Sequence, residues 1–320
     1  MSFEIGEAQR KTPYLLADVA ELLLAVGYDG MVRLRKSNLE PILANAPISA
    51  DELDDQIALR GDAEQHDETS RAFEDAWGHL AYRQGRFGLY YPFAINGDEL
   101  SLNADLSQEQ RVYLLLLACS RLRSFKHPLR SQWARAFSEL SAIAMRALLP
   151  AGASVRIFDA NSVDRKEYYG TDLRLALKKL GADLAALVTH EIICDQQSSS
   201  GDAGLDIVGV VSFDDDASGN HALFGQCAAQ EIHWPAKRFE ASPLAFRSFF
   251  SLLSDPGNTV FIPLCYRQST GDWANAGKVS GCLLLDRYRI MKAIGDMNAY
   301  PAIVAAPWFR DFEASFRNAI

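Results

Sequence analysis

Asp206 and Gln226 are the two residues whose types and spacing point to chemistry. Asp206 sits inside Gly-Leu-Asp-Ile-Val-Gly-Val-Val, a run of strand-forming residues. A charge in such a run is costly unless something binds it. Gln226 lies late in a second apolar run, His-Ala-Leu-Phe-Gly-Gln-Cys. Between them is a polar turn, Asp214-Asp215-Asp216-Ala217-Ser218-Gly219-Asn220. The pattern predicts strand, turn, strand. Neighbouring strands lie about 4.8 Å apart, so two oxygen-bearing side chains placed this way can converge on one ion. Asp206 also fits a structural role, capping the turn at a strand end.

Cys227 offers a rival chemistry, as a nucleophile with His233 or His221 as base. Such cysteines normally stand at a helix N-terminus, which lowers their pKa. Cys227 falls within or at the end of a strand and faces away from Gln226 by strand alternation, which suits a buried structural thiol.

The hairpin resembles the PD-(D/E)xK nuclease superfamily, whose restriction-endonuclease-like fold carries an Asp on one strand and (E/Q)-x-K on the next. Asp206 matches the Asp and Gln226 the (E/Q). Ala228 stands where the lysine belongs. Lys237, at the start of the following helix, is the candidate replacement, since this lysine sometimes migrates in the superfamily. Glu139, on a helix before the first core strand, matches by position a Glu that approaches the metal. The resemblance implies Mg²⁺ (or Mn²⁺) held by Asp206, Gln226 and the backbone carbonyl of Cys227. It implies metal-dependent DNA cleavage within a bacterial defence system. The vacancy at Ala228 leaves a second expectation: a catalytically degenerate subunit that binds DNA or scaffolds a complex.

The elements that must position these residues follow the hairpin outward. A helix with an apolar stripe at Phe137, Leu140, Ile143, Ala144 and Leu148 leads to a strand over 153–160. An insertion over 161–197 contains a helix from Thr171 to Gly181, then a strand over 187–194. Residues 196–204 read as a flexible serine- and glycine-rich loop. After Lys237 come a helix through Phe246 to Leu253, strands over 259–264 and 280–285, and a helix ending near Gly295. Helix, strand, strand, strand, helix, strand is the order of the superfamily's core. The fold class expected is therefore α+β: a restriction-endonuclease-like mixed sheet flanked by helices over 131–320, with a helical N-terminal domain over 1–130.

In that N-terminal domain, Thr12-Pro13 starts a helix that Gly27 ends. A second begins at Ser37 or Asn38; the pair fits either a helix-turn-helix or a helical packing module. Ser49 to Ser70 is acidic and reads as an exposed helix or a linker. The aromatics of 85–93 fit core packing or base stacking. His127-Pro128 marks the domain boundary.

The chain has 320 residues and a formal net charge of −9, divided as −6 up to Arg130 and −3 after it. A freestanding DNA binder usually carries a basic surplus, so DNA contact requires a local patch or a partner. Arg165, Lys166, Arg174, Lys178 and Lys179 form the most basic stretch, either a phosphate-contacting patch or a solvated helix face. No Gly-Lys-[Ser/Thr] phosphate loop occurs. An ATP-driven helicase or ATPase, if one is involved, is a partner subunit. No apolar run is long enough for a membrane span. Five scattered cysteines lack any C-x-x-C pair, so neither a zinc ribbon nor a disulfide framework is supported. Together these features make the cytoplasm the expected compartment.

Overall fold

The computed structural model describes residues 3–5, 12–44 and 62–319. The chain divides into two compact units. The first comprises residues 1–134, 263–275 and 300–320; the second comprises 135–262 and 276–299. A cut at Arg130 thus assigns two later segments, 263–275 and 300–320, differently from the observed packing.

In the first unit, α1 (Pro13–Ala25) takes Thr12 as N-cap and Pro13 at its first turn. Every residue from Tyr14 to Ala25 is buried, including Asp18 and Glu21. Gly27, at φ +56°, supplies the left-handed residue that follows the helix. The unit is not purely helical. Strand β1 (Arg33–Arg35) separates α1 from α2 (Lys36–Ala44), so the expected pair is not two helices joined by a simple turn. The next helix, α3 (Asp62–Phe87), precedes the hairpin of β2 (Phe93–Asn96) and β3 (Glu99–Leu102). The three strands form an antiparallel sheet in the order β1-β3-β2. Arg33 pairs with Glu99 and Lys36 with Glu74. Phe87, Tyr91 and Phe93 are buried and pack the core, while Tyr90 is half-buried. Of the acidic stretch 49–70, residues 49–61 lie outside the described residues and 62–70 form the start of α3. Helix α4 (Gln108–Ser120) begins with a capping box between Ser107 and Gln110.

The core of the unit is ionic as well as apolar. Arg83 has no exposed surface and binds Asp18 at 2.7 Å and Glu21 at 2.8 Å, both equally buried. Tyr91 and Tyr113 donate their hydroxyls to Glu21. Arg83 Nε donates to His79 Nδ1.

Helix α5 (Leu129–Arg146) leads into the second unit, and the division falls within it. There β4 (Ser154–Ile157) is followed by α6 (Leu173–Asp183), then by the two-residue strand β5 (Val188–Thr189). The hairpin consists of β6 (Ile207–Val211) and β7 (His221–Cys227). After it come β8 (Phe250–Ser251), β9 (Gly257–Phe261), β10 (Leu283–Leu285) and α7 (Arg287–Asp296). A mixed five-stranded sheet runs β10-β9-β7-β6-β4. Strand β6 is antiparallel to both neighbours, while β7, β9 and β10 are mutually parallel. The fold is mixed α+β.

Two expectations fail here. Residues 187–194 form only β5 and a helical turn, Glu191–Asp195, and 246–253 are not a continuous helix. Short apolar runs fit either period, and the antiparallel pairing of β5 with β8 decided both.

Glycines let α5 lie close on one sheet face. A Cβ at Gly225 would fall 2.5 Å from Met145 Cε, and one at Gly209 would fall 2.4 Å from Leu149 Cδ1. The other face packs Val208, Val210, Ala222 and Phe224 against Leu177, Leu180, Phe158 and Phe246. Beyond the second unit, α8 (Tyr300–Ala305) and α9 (Pro307–Ala319) rejoin the first.

Candidate metal centre

Asp206 stands immediately before β6, where the ends of three strands meet. Its N–H donates to Gly225 O of β7 at 3.0 Å. Its carbonyl accepts from the N–H groups of Phe158 and Asp159, just past β4, at 2.6 and 3.2 Å. Its side-chain Oδ2 accepts from Cys227 N at 2.7 Å. The residue is 9% exposed. Burial pushes the carboxyl up to about 7, and the neighbouring Asp202 and Asp159 add to the rise. The Cys227 amide and the charge of Lys237 oppose it.

Asp159, Asp202 and Asp206 bring one carboxylate oxygen each to within 4.8 Å of one another. Every one of the three is held by a backbone amide. Asp159 Oδ1 accepts from Asn161 N and Asp202 Oδ1 from Gly204 N, both at 2.8 Å. These two are Asx turns, in which a short carboxylate bonds the chain two residues on. One oxygen of each group is thereby anchored and the other is left for a ligand.

Gln226 lies beside this cluster in register. Ile207 pairs with Gly225, which puts Gln226 next to Asp206 at the end of the hairpin. The side chain is 5% exposed and its Oε1 has no hydrogen-bond donor. An unmade hydrogen bond of this kind costs about 1–3 kcal/mol, so the site carries a buried oxygen in want of a partner.

Cys227 enters as an amide donor to Asp206. Its thiol is raised well above the ordinary range, first by burial and then by the charge of Asp206, with Ser138 and Ser141 of α5 opposing. That environment disfavours the thiolate a nucleophile needs, and both His221 and His233 are exposed. The thiol-nucleophile chemistry finds no support.

Glu139 is not among the carboxylates that converge. Burial raises its carboxyl, and the charges acting on it are Asp164 and Arg146. Asp164 is occupied in accepting from Ile157 N. Lys237 ends a single helical turn, Trp234–Lys237, and its Nζ binds Glu240 at 2.7 Å. Its charge reaches Asp206, but its direct partner is Glu240. Ala228 is buried and donates its N–H to Phe261 O.

The basic stretch is not a free cationic face. Arg165 is fully buried, which removes it from any phosphate-contacting surface. Arg174 is paired with Asp172, and Lys178 with Asp195 and Glu191. Lys179 donates to Tyr168 O and lies 3.8 Å from the centroid of that ring. Lys166 is exposed. The charge count of the sequence could not show which cations already had partners.

Asp159 and Asp202 escaped the sequence reading. Their signals were Phe-Asp-Ala-Asn after a strand and Gly-Asp-Ala-Gly before one, both Asx-turn patterns. Either is an ordinary loop until the fold places them together. Comparison with protein-family models, with curated proteins and with solved structures found no match to this chain.

Proposed function

We propose that the second unit is a metal-dependent DNA endonuclease with its centre at Asp206. The convergence of Asp159, Asp202 and Asp206 within 4.8 Å carries this reading. Three further features support it. The second unit runs α5, β4, α6, β5, β6, β7, short helical turns, β8, β9; with the insertion 161–197 and the two-residue β8 set aside, this is in keeping with the helix-strand-strand-strand-helix-strand order of the PD-(D/E)xK core. Asp206 and Gln226 occupy the hairpin positions that the resemblance requires. Lys237 acts on Asp206 by its charge.

The donor set suits a hard divalent cation, since every candidate ligand atom is an oxygen. Mg²⁺ with oxygens at about 2.1 Å spans about 4.2 Å across its shell. Only one pair of three ligands can span that width, and neighbouring oxygens of an octahedral Mg²⁺ lie about 3.0 Å apart, so the triad needs to contract around Mg²⁺, less around a larger ion. Asp159, Asp202 and Asp206 would hold the ion, with Gln226 Oε1 as a neutral fourth oxygen. A bound divalent ion supplies charge neutralisation for a phosphate and acidifies a water. Asp206 is kept in place by the Cys227 amide. Lys237, once released from Glu240, offers a cation for charge developing on a phosphate.

The pairing of Lys237 with Glu240, together with Ala228 at the usual lysine position, favours a second reading. In it the unit keeps the metal site but has lost cleavage, and serves as a DNA-binding or scaffolding subunit. The defence setting follows from the superfamily resemblance.

The test is cleavage of supercoiled plasmid and of single- and double-stranded oligonucleotides in Mg²⁺ or Mn²⁺, with and without candidate partner proteins. Wild type should cut and Asp206→Asn should not. Equal cutting by both rejects Asp206 as the centre. Metal binding without cleavage under every condition favours the degenerate subunit.

A further inference from the structure

Arg165 has no exposed surface, yet none of its hydrogen bonds goes to a carboxylate. Nη1 donates to Phe158 O at 2.9 Å and to Gly201 O at 3.3 Å, and Nε donates to Gly170 O at 2.8 Å. The guanidinium also lies 4.5 Å from the Phe158 ring centroid. Phe158 and Gly201 are the residues immediately before Asp159 and Asp202. One nitrogen of one side chain therefore joins the two loops that carry two members of the triad. The third member is tied to the first by main chain, through Asp206 O and the amides of Phe158 and Asp159.

The charge of Arg165 has its own role. Burial works against that charge, and the carboxylates of Asp202 and Asp159 are the first to sustain it. Nη2 is buried without an acceptor. Satisfying carbonyls alone does not require a buried cation with an idle donor. Balancing carboxylates crowded within 4.8 Å does. The guanidinium is a rigid planar fork, so it fixes spacing as well as charge.

We infer that Arg165 is a positioning residue of the metal centre: from behind the triad, it sets the separation of Asp159 and Asp202 and offsets their repulsion. The inference rests on the metal reading above. It assigns Arg165 to the site through the loops and not to nucleic acid.

Mn²⁺ affinity by electron paramagnetic resonance, and the number of waters on bound Tb³⁺ from luminescence lifetimes in H₂O and D₂O, test it on the full chain. Arg165→Met should weaken Mn²⁺ binding tenfold to a hundredfold, the usual cost of losing a group that orients metal ligands. It should also add one or two waters to Tb³⁺, because a displaced carboxylate is replaced by solvent. Gly201→Ala approaches the same bracket from an exposed loop. Gly201 has φ +100° with open space around it, so a side chain there strains the backbone without touching the core. It should weaken metal binding in the same direction, and it decides the matter if Arg165→Met does not fold. Tyr169→Phe is the control. It lies in the same turn and loses only its bond to Asp183, so it should lower Tm while leaving affinity and water count unchanged. A folded Arg165→Met, or Gly201→Ala, with wild-type affinity and hydration overturns the inference. Wild type and Asp206→Asn binding Mn²⁺ alike would instead overturn the metal reading, and this inference with it.

Discussion

Replacing Asp206 with Asn should change how stability depends on pH and on divalent metal. Folding lifts the Asp206 carboxyl from its ordinary 3.8 to about 7. Below pH 4 it is protonated in both folded and unfolded chains and contributes no slope. From pH 4 to 7 the unfolded chain releases the proton while the folded chain keeps it, so stability falls. The loss is complete once pH passes the folded value. At about 1.4 kcal/mol per pH unit between those two values, the loss is about 4 kcal/mol in the absence of metal. Asn cannot ionise, and its amide oxygen can still accept from Cys227 N. Metal-free Asp206→Asn should therefore match wild type near pH 4 and exceed it by up to about 4 kcal/mol at pH 8. Divalent metal should close this gap at pH 8, stabilising wild type by about 2.7 kcal/mol at a hundred times Kd and about 4.1 kcal/mol at a thousand times Kd, and leaving the variant unmoved. Urea denaturation at pH 4 to 8, with EDTA and with Mg²⁺ or Mn²⁺, measures both effects. A stability difference independent of pH would refute the burial argument. Equal metal stabilisation of both proteins would refute Asp206 as a ligand.

Lys237→Ala should reduce cleavage on the order of a hundredfold with Mn²⁺ affinity unchanged; equal cutting by variant and wild type removes Lys237 from the chemistry. Lys178→Glu with Lys179→Glu should leave DNA affinity and its salt slope little changed, because Lys178 is already paired and Lys179 lies on Tyr168. A collapse of the salt slope would restore this face as a phosphate contact. Arg83→Met strands Asp18 and Glu21 in the core, and should destabilise the first unit by about 3–5 kcal/mol, read by urea denaturation. Gly225→Ala puts a methyl 2.5 Å from Met145 Cε; it should cost about 1–3 kcal/mol in the same assay, and a neutral result would mean that α5 yields easily.

By itself the sequence determined the hairpin that carries Asp206 and Gln226. Two apolar runs around the polar turn at 214–220 specify two strands, and strand period fixes the opposite faces of Gln226 and Cys227. It also determined α1 and α6, whose starts and apolar spacing are local signals. Tertiary structure decided the rest of the site. Asp159 and Asp202 stand 43 residues apart in ordinary turns; Asp202 precedes Asp206 closely in the chain, but only the pairing of β4 with β6 brings Asp159 to them. Arg165 reads as one cation in a basic stretch until its burial between two loops is seen. The burial that lifts the Asp206 carboxyl likewise belongs to no local pattern. Caps, turns and periodicity act over a few residues and leave their mark in sequence. Convergence, burial and charge pairing depend on segments far apart along the chain, and exist only once it has folded.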